Sequence, residues 1–308
     1  VLKRIPLVST VVLLGLSSLV QPVRGQALLP YSPQLDAKQL EQQGLGLIQE
    51  AVGLARFQQY EPALQRANLA TQLAPKTYQS WFLLGSLYLE TEKLDKGIEA
   101  LEKARSLAPK EAEILFALGS AKFQKEDYQG AIAYLEEGLK IKPDVPTALF
   151  DLGNTYYKLK QYDRAIAQYD KVVAKDAKFW PAINNIGLIK YEQGDINGAI
   201  ENWQKAIAID DKAAEPLLAV GVALYARGDR DRGLTMGETA IRLDNRYADI
   251  EFLKENLWGD RLLGETKKFL EIPKIKETIV SSQQEPTPAG QQQPTPASPQ
   301  QPTPIQPQ

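Results

Sequence analysis

Apolar residues along this chain fall into two alternating stripes, each with the 3.6-residue period of an amphipathic helix. The stripes come into register when the chain is written in blocks of 34 residues starting at 44, 78, 112, 146, 180 and 214. Positions 4, 7, 8 and 11 of a block share one helical face, and in the second block these are Trp81, Leu84, Gly85 and Tyr88. Positions 20, 24 and 27 make the face of a second helix, here Gly97, Leu101 and Ala104. Position 8 reads Ala51, Gly85, Gly119, Gly153, Gly187 and Gly221, while position 20 reads Ala63, Gly97, Ala131, Ala165, Ala199 and Gly233. Small residues at 8 and 20 let two helices approach closely, and the bulky ones at 4, 11 and 24 fill the space between turns. A polar turn such as Gln193-Gly194-Asp195 separates the helices, and Pro75, Pro109 and Pro143 stop the second of them, since Pro cannot continue the hydrogen-bond ladder. The pattern predicts an all-α chain of about six helix pairs over 44–247, with no strand.

A 34-residue period signals a solenoid. The run Trp81…Leu84-Gly85…Tyr88…Gly97…Leu101…Ala104…Pro109 resembles the tetratricopeptide repeat (TPR) family nearly throughout, as does Leu149…Leu152-Gly153…Tyr156…Ala165…Tyr169, where Ala177 replaces the Pro. The resemblance implies a right-handed αα-superhelix built from repeats 44–77, 78–111, 112–145, 146–179, 180–213 and 214–247. The end blocks depart from the pattern. The first has Glu50-Ala51 in place of Leu-Gly, and the sixth has Gly233 and Gly237 in its second helix, which weakens it.

The flanks differ in kind from the repeats. Lys3 and Arg4 precede a charge-free run, Ile5 to Val20, and Val23-Arg24-Gly25 places small or permissive residues before a cut at Gln26. This order predicts a secretory signal peptide, or an uncleaved membrane anchor, over 1–27. Val1 where Met is expected reads as a bacterial GTG start. Residues 28–43 read as a linker and an extension of the first helix, which starts near Asp36. Residues 248–280 read as a cap: Ile250, Leu253 and Leu257 share a face, Gly259 breaks the helix, and a second short one runs from Asp260 to Leu270. From Ser281 to Gln308 the chain holds 8 Pro and 9 Gln in 28 residues, with nothing to bury, which predicts an extended tail.

Composition narrows the function. The 308 residues contain no His and no Cys. That excludes imidazole and thiolate metal ligands, a Ser-His-Asp triad, a thiol nucleophile and a disulfide. A net charge of −2 argues against nucleic acid as a partner. No Gly-rich loop follows a strand, so no phosphate cofactor is called for, and the paired acids lie on exposed faces. The reading is a non-catalytic protein with no cofactor and no metal. Arg227-Gly228-Asp229 spells an adhesion tripeptide but occupies the turn positions that Gln193-Gly194-Asp195 holds in block five.

The candidate site is a second stripe on the first helix of each block. At about 100° per residue, positions 2, 5, 9 and 12 lie roughly 80–160° from position 4, beside the packing face. In TPR proteins these positions line the concave surface. Position 5 gives Phe82, Phe116, Phe150 and Asn184; position 12 gives Phe123, Tyr157, Tyr191 and Tyr225; position 9 gives Asn154. The expectation is a water-facing aromatic groove that binds a client protein or peptide segment, with Asn154 and Asn184 hydrogen-bonding an extended chain. The acidic-tail clamp of chaperone partners would need several cations here, and only Arg56 and Lys158 sit at position 13. The expected protein is therefore an exported scaffold or assembly factor, in the periplasm or thylakoid lumen, or membrane-anchored with its repeats outside the cytoplasm. It is also distantly similar to cyanobacterial TPR factors that assist photosynthetic complexes. The alternatives are an accessory subunit of an envelope or polysaccharide enzyme complex, or a structural spacer.

Overall fold

The computed structural model describes residues 36–284. The expected signal segment, 1–27, and the Pro/Gln-rich run beyond Gln284 lie outside the described residues. Fifteen α-helices account for most of the described chain, and no strand occurs among these residues. None of the helices is long and apolar enough to cross a membrane.

Six antiparallel pairs follow one another: α1 (Ala37–Arg56) with α2 (Tyr60–Leu73), α3 (Tyr78–Glu90) with α4 (Leu94–Leu107), α5 (Ala112–Gln124) with α6 (Tyr128–Ile141), α7 (Pro146–Lys158) with α8 (Tyr162–Lys175), α9 (Trp180–Glu192) with α10 (Ile196–Ile209), and α11 (Ala214–Ala226) with α12 (Arg230–Leu243). Each helix packs on its partner, and each second helix packs on the next first helix. The first helices also touch one another in sequence, α1 on α3, α3 on α5 and α5 on α7, so they line the inner side of the array.

The close approach within a pair rests on the glycines at position 8. A Cβ on Gly85 would lie 2.7 Å from the Leu101 side chain, and one on Gly153 or Gly187 would lie 2.5 Å from the rings of Tyr169 or Trp203. The bulky residue at position 24 thus seats directly over the glycine at position 8. In the sixth pair position 24 is Gly237, and the backbones of Gly221 and Gly237 meet instead.

The turn inside each pair has a fixed geometry. Gln58, Glu92, Glu126, Lys160, Gly194 and Gly228, all at position 15, have positive φ. Gly228, at φ +97, is thus the turn residue of the Arg-Gly-Asp tripeptide.

After α12 the chain makes a 3₁₀ turn, Asn245–Ala248, and two short helices, α13 (Ile250–Glu255) and α14 (Asp260–Leu270). A further helix, α15 (Pro273–Gln284), packs on α12 with Ile275 fully buried. It runs four residues into the segment expected to be extended from Ser281. Pro273 starts it rather than ending its predecessor, since Pro at the first helical position loses no ladder bond. Ile275 and Thr278 give it a buried face that the Gln-rich sequence beyond lacks.

The concave face as a candidate functional site

The expected groove residues are brought together on the inner half of the array, but most do not face water. Phe82, Phe150, Asn154, Tyr157, Asn184 and Tyr191 are buried, and Phe116, Phe123 and Tyr225 are half-buried. The reason is geometric. A first helix here packs on its own second helix and on a neighbouring pair, so its buried arc is wider than one stripe and takes in positions 5 and 12. The Phe116 ring lies over Gly138 of α6, where a Cβ would meet it at 2.5 Å. Phe150 stacks against Tyr169 and Phe179, with ring centroids 5.6 and 5.2 Å away. At position 12, Phe123 packs edge-on to Tyr128, Tyr157 packs against Tyr162, and Tyr191 against Trp203. The expected continuous water-facing surface of Phe116, Phe123, Phe150 and Tyr157 is therefore interrupted: Phe150 and Tyr157 are buried between helices, while Phe116 and Phe123 keep part of their rings at the surface.

The two amides are likewise engaged within the fold. Tyr169 donates to Asn154 Oδ1 at 2.7 Å, and Asn185 Nδ2 donates to the same oxygen at 3.0 Å. Asn184 Nδ2 donates to Asn185 Oδ1, and its backbone carbonyl accepts from Trp203 Nε1. An extended client would have to break this network to use either side chain. Nearby, Ser120 donates to Asp151 at 2.6 Å across the α5–α7 junction. Desolvation raises the Asp151 carboxyl to about 6, against the lowering effect of the Ser120 bond.

Over α7, α9 and α11 the inner face carries the chain's own strap, residues 249–270. Lys158 Nζ donates to the Lys254 carbonyl at 3.3 Å, and Lys160 pairs with Asp260. Glu192 accepts two backbone N–H bonds at the start of α14, from Arg261 and Leu262, each at 3.1 Å. Tyr191 donates to Glu265. Trp258 Nε1 donates to Glu215 Oε1 at 3.0 Å. At the far end Phe269 stacks edge-on to Tyr225, centroids 5.4 Å apart, and its ring fills the space over Gly237. The glycine that weakens α12 is thus a socket for an aromatic ring arriving from α14.

Glu215 is the unusual group. It is 1 % exposed, and its carboxyl is raised to about 7 by desolvation, with the bonds from Trp258 and Asn184 acting the other way. Glu215 Oε2, Asn184 Oδ1 and Tyr157 Oη are all buried without a hydrogen-bond partner. A protonated Glu215 has a donor to offer, which is the chemistry its raised pKa favours. Lys158 is lowered by the same desolvation.

Sequence reasoning missed Glu192, Glu215, Trp258 and Phe269. The available signals were a Glu at position 2 of an otherwise apolar helix and a Gly at position 24, where repeats two to five carry a large side chain.

With this geometry in hand, the likeness to known proteins is specific. Tetratricopeptide repeat models match residues 45–112, 82–146 and 122–186, and a further TPR repeat model matches 187–228. Together they span more than half of the chain. The chain belongs to the tetratricopeptide repeat family. No curated protein matches it by sequence. Among solved structures it is similar to PilW, a widely conserved type IV pilus biogenesis factor, at 22% identity and TM-score 0.60, covering 66% of this chain and 94% of PilW. It is similar to PilF of Pseudomonas aeruginosa at 17% identity and TM-score 0.59, over 67% and 94% of the two chains. It is also similar to YrrB, described as a TPR protein with an unusual peptide-binding site, at 21% identity and TM-score 0.50, over 62% and 94%. At these identities the likeness is one of fold. TPR proteins are generally non-catalytic scaffolds.

Proposed function

We propose that this TPR protein is a non-catalytic interaction scaffold that binds a protein client on its concave face, outside the cytoplasm. The observation that carries the reading is the division of that face. The strap's hydrogen bonds reach back only as far as Lys158 and Lys160 at the end of α7. The inner surface of α3 and α5, with exposed Glu90 and Gln124 and half-buried Phe123, is left beyond it. Desolvation raises the Glu90 carboxyl. A client segment bearing a basic residue suits this stretch. YrrB, described as having an unusual peptide-binding site, and PilW, described as a pilus biogenesis factor, are consistent with such use.

Site-specific photo-crosslinking tests the reading. A crosslinker at exposed Glu90 or Gln124 should capture a discrete partner in a native membrane extract, and one at exposed Glu99 on the outer side of α4 should not. Equal capture from both sites, or from neither, sinks it and leaves the spacer as the better description. The location rests on the order of charged, apolar and small residues from Lys3 to Gly25. N-terminal sequencing after fractionation should find a chain shortened by about 25 residues, or an intact one in the membrane fraction. An intact N-terminus in the soluble cytosolic fraction contradicts export.

A further inference from the structure

We propose that the inner face of α7, α9 and α11 is a seat for an amphipathic helix, and that the strap holds this seat in competition with a client helix of the same design. The inference goes beyond the scaffold reading: it names a second seat on the inner face, the class of segment it takes and the device that controls it.

Three features of the seat select a helix. Glu192 takes the N–H groups of two successive residues, Arg261 and Leu262, at the start of α14. The first N–H groups of a helix all point the same way and lack partners of their own. In an extended strand, successive N–H groups point to opposite sides, so one carboxylate cannot take both. The residue preceding α14 is Gly259, which has no side chain to cap it, so the repeats supply the cap. Two residues before that start, the Trp258 indole is anchored on Glu215. Phe269, nine residues and about 14 Å along the helix from Asp260, enters the socket made by Gly237 and Tyr225. Between these anchors Leu262, Leu263 and Thr266 bury one face of α14, while Lys267 and Lys268 remain outside.

The strap is also an imperfect occupant. Leu257, in the bend before Trp258, sits at φ +68, a left-handed conformation that a leucine adopts only under constraint. Tyr157 Oη, Asn184 Oδ1 and Glu215 Oε2 stay without partners beneath it. α13 is only six residues long. Both ends of the strap are held independently, by buried Tyr247 on one side and by α15 on the other, so it can leave the groove without the chain end detaching.

The probe is a fluorescein-labelled synthetic peptide of residues 249–272, titrated into the full-length protein. In the wild type the tethered strap outcompetes it. Trp258→Ala loosens the strap without altering the seat, and it should bind the peptide at least ten-fold more tightly than wild type. Adding Glu192→Ala in that background should lose most of the gain. Trp258→Phe, which keeps a ring and drops only the indole N–H, carries the same test if the alanine variant does not fold. In wild-type hydrogen exchange, α14 amides should exchange at least ten-fold faster than those of α9. The proposal is overturned if a folded Trp258 variant binds the peptide no better than wild type, or if α14 exchanges in step with α9. No client enters this experiment, so its failure is separate from failure of the crosslinking test on α3 and α5.

Discussion

The first three helix pairs and the last three use the same 34-residue unit, yet they are built differently inside. In the first three the buried apolar side chains fall into two small groups, one around Ile48 to Ala100 and one around Phe82, Leu101 and Leu118. From Leu135 onward a single cluster runs without interruption to Ile275 in α15. In the first half Ser86 bonds locally to its own helix, and the first side-chain bond across the inner face is Ser120 to Asp151, at the junction with the second half. In the second half they bond across helices, through Asn154, Asn185 and Tyr169, and on to the strap through Glu192 and Glu215. The contrast shows that a solenoid need not be uniform. The sixth repeat, which receives a distant segment, has Gly237 where a bulky side chain recurs in repeats two to five, and the Phe269 ring fills the space.

The largest effect should come from the aromatic mortar. Phe150→Ala empties a site enclosed by Tyr169 and Phe179, and roughly 3–5 kcal/mol of stability should be lost. Leu118→Ala, in the smaller first-half cluster, should cost about 2–4 kcal/mol. Chemical denaturation of both variants checks this. A Phe150→Ala protein that unfolds like wild type would restore the water-facing groove that the sequence suggests.

The socket gives a sharper test of the comparison. Gly237→Leu would bring the sixth pair to the consensus of Leu101 and Leu135. Its side chain would occupy the place of the Phe269 ring, which already lies 2.4 Å from where a Cβ would be. Overpacking of this kind costs about 1–3 kcal/mol. The change should raise hydrogen exchange in α14 selectively, whereas Leu101→Ala should loosen α3, α4 and α5 and leave α14 unchanged. Unchanged protection of α14 in Gly237→Leu would mean that the glycine is drift and not a socket.

Glu215 supplies the next effect. Its carboxyl titrates at about 7 in the fold against the ordinary 4.5, so the folded chain binds more protons than the unfolded one between those values. Stability therefore falls as pH rises from about 4.5 to about 7, and the loss is complete above that. Glu215→Gln keeps an acceptor for Trp258 and adds a donor without a charge. It should stabilise the protein by on the order of 1–3 kcal/mol at pH 8 and change little at pH 4.5. Melting curves of variant and wild type at the two pH values decide it, and an equal shift at both would show that desolvation of the charge is not the cause.

The helices were legible in the sequence because their contacts are local and periodic: position 8 meets position 24 of the same block, and the pattern recurs often enough to be read. The strap was not legible as an occupant of the groove. Its bonds join residues 43 to 100 positions apart, as in Trp258 to Glu215 and Lys160 to Asp260, and no period connects them. The inner stripe misled for a different reason. A helical wheel orders side chains by angle, but it does not say how wide an arc the neighbouring helices cover. Phe116 lies within that arc because Gly138 leaves room for its ring.

The smallest effect separates the halves at the turns. Position 15 is left-handed in every pair, and it is Gly only at Gly194 and Gly228, in the last two. At Glu126 and Lys160 a side chain occupies a conformation that costs a non-glycine residue about 1–2 kcal/mol. Part of any gain from glycine is offset by the greater freedom it gives the unfolded chain. Glu126→Gly should therefore stabilise by roughly 0.5–1 kcal/mol, and Gly228→Ala should destabilise by about 1 kcal/mol. Gly194→Ala carries the same backbone cost, and its Cβ would also come within 3.0 Å of the Arg261 guanidinium at the start of α14. That side chain is flexible and exposed, so the added cost should be small in stability but visible as weaker protection of α14. If Gly194→Ala and Gly228→Ala affect α14 equally, then the turn of the fifth pair bears no relation to the strap that crosses it.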